Sequence, residues 1–285
     1  MFPPLYESDD SKSRSPTPSM RENNLINLIL FLSIQYSKSF CYIDFSHEYL
    51  LTKINNLGFM KKITVLFIII LSSFTISQTD NDGFINTFNT DSCLFSSTGQ
   101  NKYFILEPGY RLVLASEDNE EQVVITVLNE TKIINGIETR IVEENESKNG
   151  ETKEISRNFF ALCKSTGDVF YFGEEVDIYK NGKIVSHSGA WIADGKNKPG
   201  LVMPGNYEIG YKYYQEIAPD AAMDRAEIIS INETYKTPSG KFTGCLKTQE
   251  TTPLNPKEKE YKHYAPGIGL IQDEDLLLVK YGFIK

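Results

Sequence analysis

Three carboxylates close together, Glu174, Glu175 and Asp177, are the first residues in this sequence whose types and spacing suggest chemistry. Oxygen ligands at such spacing can hold Ca²⁺, and the Asn181-Gly182 turn would leave them at a strand end; a solvated strand end is the plainer account. A second acidic stretch, Asp80-Asn81-Asp82-Gly83, begins like a calcium loop but carries Phe84 where the fifth ligand belongs. The aromatic residues form a third group. Tyr207, Tyr211, Tyr213, Tyr214, Tyr261 and Tyr264 fall in the last third of the chain, with Trp191 shortly before them. Tyrosine has an apolar face and a wet tip, so such a set lines a ligand groove or covers an ordinary sheet face. Trp191, Tyr211, Tyr213, Tyr261 and His263 are the candidate ligand-binding residues. No catalytic residue is assigned.

Other chemistries lack their motifs. There is no Gly-x-Ser-x-Gly elbow for a serine hydrolase. Neither Cys-x-x-Cys nor His-Glu-x-x-His is present, so a zinc site has no support. Gly240-Lys241 lacks the rest of a phosphate-binding loop, and Gly267 with Gly269 is half a dinucleotide fingerprint with no helix after it. That pair reads as a tight turn or bulge after Pro266. His187 and His263 each sit within a strand pattern and read as strand residues. No cofactor is expected.

The elements that would carry these residues are strands. Tyr110, Leu112 and Leu114 alternate with Arg111 and Val113, and Ile137, Thr139 and Ile141 with Glu138 and Arg140. Asn135-Gly136, Asn149-Gly150 and Asn181-Gly182 each separate two such runs. Asn-Gly accepts the positive φ that both centres of a type I′ hairpin turn require. The expected fold is all-β, one large antiparallel sheet curled by strand twist into a half-open barrel, with a two-layer sandwich as the alternative. Asp194–Gly205, punctuated by Pro199, Gly200, Pro204 and Gly205, reads as loop.

Upstream, Lys61 and Lys62 precede the apolar run Ile63–Ile76, and Thr75 and Ser77 are small residues placed for a cut before Gln78. That is the tripartite pattern of an export signal over residues 60–77. Residues 1–59 read as disordered or as sequence ahead of a true start at Met60. Residues 78–98 form a polar linker arm and 99–285 the β-rich domain. The protein is expected to be secreted or extracytoplasmic; the alternative is anchorage by an uncleaved 63–76, although a run of 14 residues falls short of the roughly 20 a span needs. An oxidising compartment would close a pair among the downstream cysteines. Cys93 in the arm and Cys163 at a strand end are peripheral, so they form the expected disulfide, with mid-strand Cys245 a buried thiol; a mobile arm leaving both thiols apart is the alternative.

The runs Asn101–Leu114, Asp168–Asp177, Asn181–Ser188, Gly240–Leu246 and Glu260–Leu270 are together similar to an uncharacterised family of secreted prokaryotic β-rich proteins. More distantly, the strand order resembles the curved single sheets of outer-membrane lipoprotein carriers, a likeness of fold that fixes no function.

Charge narrows the partners. The chain has 38 acidic against 29 basic residues, and the excess lies downstream of the signal. Such a surface repels phosphate backbones and anionic lipid, so nucleic acid is not an expected partner, and membrane contact is expected only through an uncleaved signal. The favoured function is an exported, non-enzymatic binding or carrier module for an apolar or amphipathic ligand. A hydrolase of envelope polymers and a structural surface protein are the alternatives.

Overall fold

The computed structural model describes residues 78–284. The expected signal and everything before it therefore lie outside the described residues. Within them the chain is strand, turn and bridge, with no helix. A two-residue strand β1 (Phe95–Ser96) is followed by a small hairpin, β2 (Gly99–Asn101) and β3 (Phe104–Leu106). Then comes a meander of β4 (Tyr110–Ala115), β5 (Glu121–Ile134), β6 (Ile137–Lys148), β7 (Glu151–Cys163) and β8 (Val169–Lys180). Three short strands follow, β9 (Lys183–Ser186), β10 (Trp191–Ile192) and β11 (Gly200–Met203), all paired to β8. The rest is a second meander, β12 (Lys212–Tyr214), β13 (Arg225–Thr237), β14 (Gly240–Thr252), β15 (Asn255–Ala265), β16 (Gly269–Asp273) and β17 (Leu276–Phe283).

The three Asn-Gly pairs connect β5 to β6, β6 to β7 and β8 to β9. Their φ angles are positive at both centres: 48° and 79° at Asn135 and Gly136, 53° and 75° at Asn149 and Gly150, and 52° and 70° at Asn181 and Gly182. Only that local twist matches the flanking strands, so the turn chemistry sets the hairpin registers. Gly267 (φ 70°) lies in the turn between β15 and β16.

The two meanders join in the middle. β4 pairs with β5 on one side and with β17 on the other, Tyr110 opposite Phe283 and Leu114 opposite Leu278. The result is a single antiparallel sheet of 15 strands that does not close into a barrel. Register shifts in the β5–β6, β13–β14 and β17–β4 pairs mark bulges, which add to strand twist and bend the sheet into a trough. Both lateral edges are covered. β8 carries its three short strands, and β12 carries the polar arm, where the Ile85 N–H donates to Lys212 O (3.0 Å) and the Tyr214 N–H to Ile85 O (2.9 Å). Covered edges cannot template another chain.

The covered edges approach each other along a seam. The Lys198 N–H donates to Ile217 O (3.0 Å), and Gly200 lies flat against the Gln215 carbonyl, closer than any side chain would allow. This places β11 in the stretch expected to be loop. Proline and glycine do bound it, but Leu201 and Met203 between them are buried and pair with β8. A short buried strand and a loop give the same punctuation in sequence.

The core is one buried cluster that draws on both meanders. Phe159, Phe172, Leu114, Leu246, Ile271 and Leu278 are fully buried. The β2–β3 hairpin packs into the same space: the Tyr103 hydroxyl donates to Gly244 O (2.8 Å), and the Phe104 ring meets that of Phe160 at 5.2 Å. Side chains add to the backbone pairing that holds the arm. Phe84 is buried beside Tyr214, Asp80 is ion-paired to Arg225 at 2.9 Å, and Cys93 is disulfide-bonded to Cys163 with a Cα–Cα distance of 5.1 Å. Cys245 is free and buried. Both cysteine expectations hold.

Candidate ligand site

Period two in a strand puts alternate residues on one face. On β6 that places Val142 and Glu144 together on the concave side; on β14 it places Thr248 with Glu250, and on β15 Lys262 with Tyr264. Hydrogen-bonded register sets Lys262 opposite both Thr248 and Asp273. The trough's curvature then brings β6, from the first meander, to face β15 and β16, from the second.

Between them lies a cavity of about 140 Å³. Its apolar lining includes Phe104, Ile105, Leu112, Val127, Val142 and Phe160. Its polar lining comes from Glu144, Gln215, Lys262 and Asp273. Gly269, with φ at 104°, also lines it, at the start of β16.

A bonded network holds the polar groups. Lys262 Nζ is 3.2 Å from Glu250 Oε2 and 3.4 Å from Asp273 Oδ2. Glu250 Oε1 accepts from Gln215 Nε2 (3.2 Å), Thr248 Oγ1 (3.2 Å) and the Tyr264 hydroxyl (3.5 Å). Gln215 is 7% exposed, and its other amide atom, Oε1, has no partner. Burial pulls the Lys262 ammonium down, but Glu250 and Asp273 outweigh it and hold it well above the ordinary lysine value.

The carboxylates around this network are under the opposite strain. Burial pushes Glu144 up to about 7, with Lys262 pulling back and Asp273 adding repulsion. Glu174, on β8, is likewise raised to about 7 by burial, against a hydrogen bond from Tyr171 and with repulsion from Glu144. Glu260 reaches about 7 by burial, with Lys262 opposing. Glu216 is raised well above its usual value by burial, then by Asp224 and Glu174.

A pH dependence of stability follows. Glu144, Glu174 and Glu260 hold protons in the folded state over a range where the unfolded chain has released them, so stability falls as pH rises from about 4.5 to about 7. Asp80 acts oppositely. Burial would raise it, but the Phe84 N–H, the Tyr214 hydroxyl, the Asp82 N–H and Arg225 together lower it, and its contribution is lost on acidification below about 4. Urea midpoints are therefore expected to peak near pH 5 and decline toward pH 8. A flat or rising profile from 5 to 8 would contradict the raised carboxylates, and E144Q is expected to flatten the decline.

The residues singled out from the sequence lie around this site. Trp191 is buried across from Glu174, its ring 5.3 Å from Tyr171 and its Nε1 without a partner. Tyr211 is half-buried and packs on Tyr213 at 5.4 Å; Tyr213 is fully buried, its hydroxyl unpartnered. Tyr261 is exposed, with Lys247 Nζ 4.9 Å above its ring. His263 is buried, 2.9 Å from Glu233 Oε2 and stacked on Tyr235 at 4.2 Å. None of the five lines the cavity. Tyr261 and His263 alternate with the lining pair Lys262 and Tyr264, one residue out of phase.

The three acidic candidates are divided between the two faces of β8. Glu174 faces the trough. Glu175 pairs with Lys132 at 2.5 Å, and Asp177 with Arg157 at 3.5 Å and His187 at 3.0 Å. Among the described residues, no group of three or more His, Cys, Asp or Glu side chains is arranged to hold a metal ion.

No family model matches this chain, and no curated protein does. A solved structure from Parabacteroides distasonis, described as a putative lipoprotein, is similar to it with 13% identity and a TM-score of 0.33, covering 65% of this chain and 100% of that one. An overlap that loose carries no argument about function. The likeness to a secreted family and to curved-sheet carriers therefore rests on sequence alone.

Proposed function

We propose that the domain is an exported, non-enzymatic binding module for a small amphipathic ligand, with the ligand's apolar part in the cavity and its polar end at Glu144, Gln215, Lys262 and Asp273. One observation carries this reading: the cavity of about 140 Å³, largely apolar in its lining with a few polar groups converging on it. Its size sets the scale, since an engineered apolar cavity of about 150 Å³ takes up one benzene. The apolar part is accordingly one ring or a short branched chain, smaller than a lipid tail. Export is supported by the Lys61–Ser77 pattern and by a disulfide compatible with an oxidising compartment.

Native mass spectrometry of freshly purified protein, together with toluene titration followed by amide NMR shifts, tests this. A co-purified small molecule, or toluene shifts confined to β3, β5, β6 and β15, is expected. A bare protein that toluene leaves unchanged would end the proposal.

A second reading, hydrolysis of envelope polymers, draws on Glu144 and Glu174, two carboxylates of the trough raised to about 7, where a general acid works best. Release of reducing ends from cell-envelope polysaccharide, abolished in E144Q or E174Q, would favour it over binding alone.

A further inference from the structure

Resting on the binding reading above, we propose that the polar end of the ligand is a cation, an alkyl- or aralkylamine whose ammonium is received by Glu144, Asp273 and the free carbonyl oxygen of Gln215. Three observations carry this. The first is the allocation of charge. Lys262, the basic residue of the cavity lining, is already shared between Glu250 and Asp273 at 3.2 and 3.4 Å. An anionic head would have to displace one of those carboxylates and then lie against Glu144. A cationic head meets Glu144 directly and joins Lys262 in neutralising Asp273.

The second is the orphaned acceptor. Gln215 lines the cavity and is more than nine-tenths buried, and its Nε2 is committed to Glu250 while Oε1 bonds to nothing. Flipping the amide would set its oxygen against a Glu250 oxygen, so the carbonyl orientation is the one the network selects. A buried acceptor without a donor costs free energy. An ammonium supplies the missing N–H; a carboxylate or phosphate cannot. The amide is held in place by the seam, where Gly200 presses on the Gln215 backbone.

The third is the surround. Beyond Glu250 a second hollow of about 20 Å³ is lined by Asp224, Glu258 and Glu260, so negative potential continues past the cavity. Burial, with repulsion from Asp273, holds Glu144 and Glu260 at about 7 against the pull of Lys262, and a second cation beside them would favour their charged form. Phe104, Phe160 and Tyr264 add aromatic wall, on which an ammonium is also favoured.

A matched trio tests the proposal: phenethylamine, 2-phenylethanol and phenylacetate share one ring and differ in the charge of the head. Calorimetric titration of the purified protein at low ionic strength is expected to give phenethylamine a roughly tenfold or greater preference over phenylacetate, the size of a charge-assisted hydrogen bond. Added salt should narrow the gap. Glu144→Gln and Asp273→Asn should each shrink the preference several-fold, with folding checked by circular dichroism; Glu175→Gln, on the outer face, should leave it intact. If phenylacetate binds as well as the amine, the charge assignment is overturned while the cavity reading survives. If none of the three binds, both fall.

Discussion

Replacing Cys93 and Cys163 together by alanine is expected to lower the unfolding free energy by roughly 4 kcal/mol, the chain-entropy value for a closed loop of 70 residues. The bridge reinforces a short junction, the two-residue pairing of β1 with the end of β7, Phe95 opposite Cys163. β1 is only two residues long, and Cys163 is fully buried where β7 ends. Without the bond, the arm keeps Phe84 and the Asp80–Arg225 pair at its far end but can fray around Phe88 and Phe95, whose rings pack on Phe170 at 5.8 Å. For a domain of this size the loss corresponds to a fall in Tm of roughly 10 °C. Thermal melts with and without reductant, beside the double-alanine variant, measure it. A loss below about 1 kcal/mol would mean that the unfolded chain is already compact enough to make the link redundant.

The second large effect is expected at Lys262. Lys262→Met removes the cation from a cluster of carboxylates and leaves Glu250 and Asp273 facing Glu144 and Glu260 without it. Breaking one partner out of a buried ion pair costs about 3–5 kcal/mol, and the low end applies because Lys262 and Asp273 keep some water contact. The pairing itself is not the source of stability: removing both charges, as in Lys262→Met with Glu250→Gln, should recover most of the loss. Urea unfolding of the single and double variants decides. Equal losses in both would show that packing of the lysine stem dominates over its charge.

The architecture was legible in the sequence where local chemistry sets it. Alternation gave the strands, Asn-Gly gave three hairpin turns, and the export logic gave the Cys93–Cys163 pair. The cavity was harder to read. Its elements are visible in hindsight: Val142 and Glu144 form an apolar stripe that turns acidic on one face, and Glu260, Lys262 and Tyr264 form another. What the sequence does not contain is the pairing of those stripes across the trough, because β6 and β15 are far apart along the chain and meet only through curvature. Tyr261 and His263 lie on one face of β15 and Lys262 and Tyr264 on the other, and in an isolated strand nothing fixes which face turns inward. Gln215 carries no signal at all, since its role comes from the seam beside Gly200.

The junction of β4 with β17 bears on how the molecule is made. β4 is made more than 160 residues before β17, yet they are neighbours at the centre of the sheet. The first meander can zip from hairpin to hairpin while synthesis continues, but one edge of β4 stays open until β17 has been made. Closing that distance costs chain entropy before any contact returns it, which is the signature of a slow, high-contact-order folder.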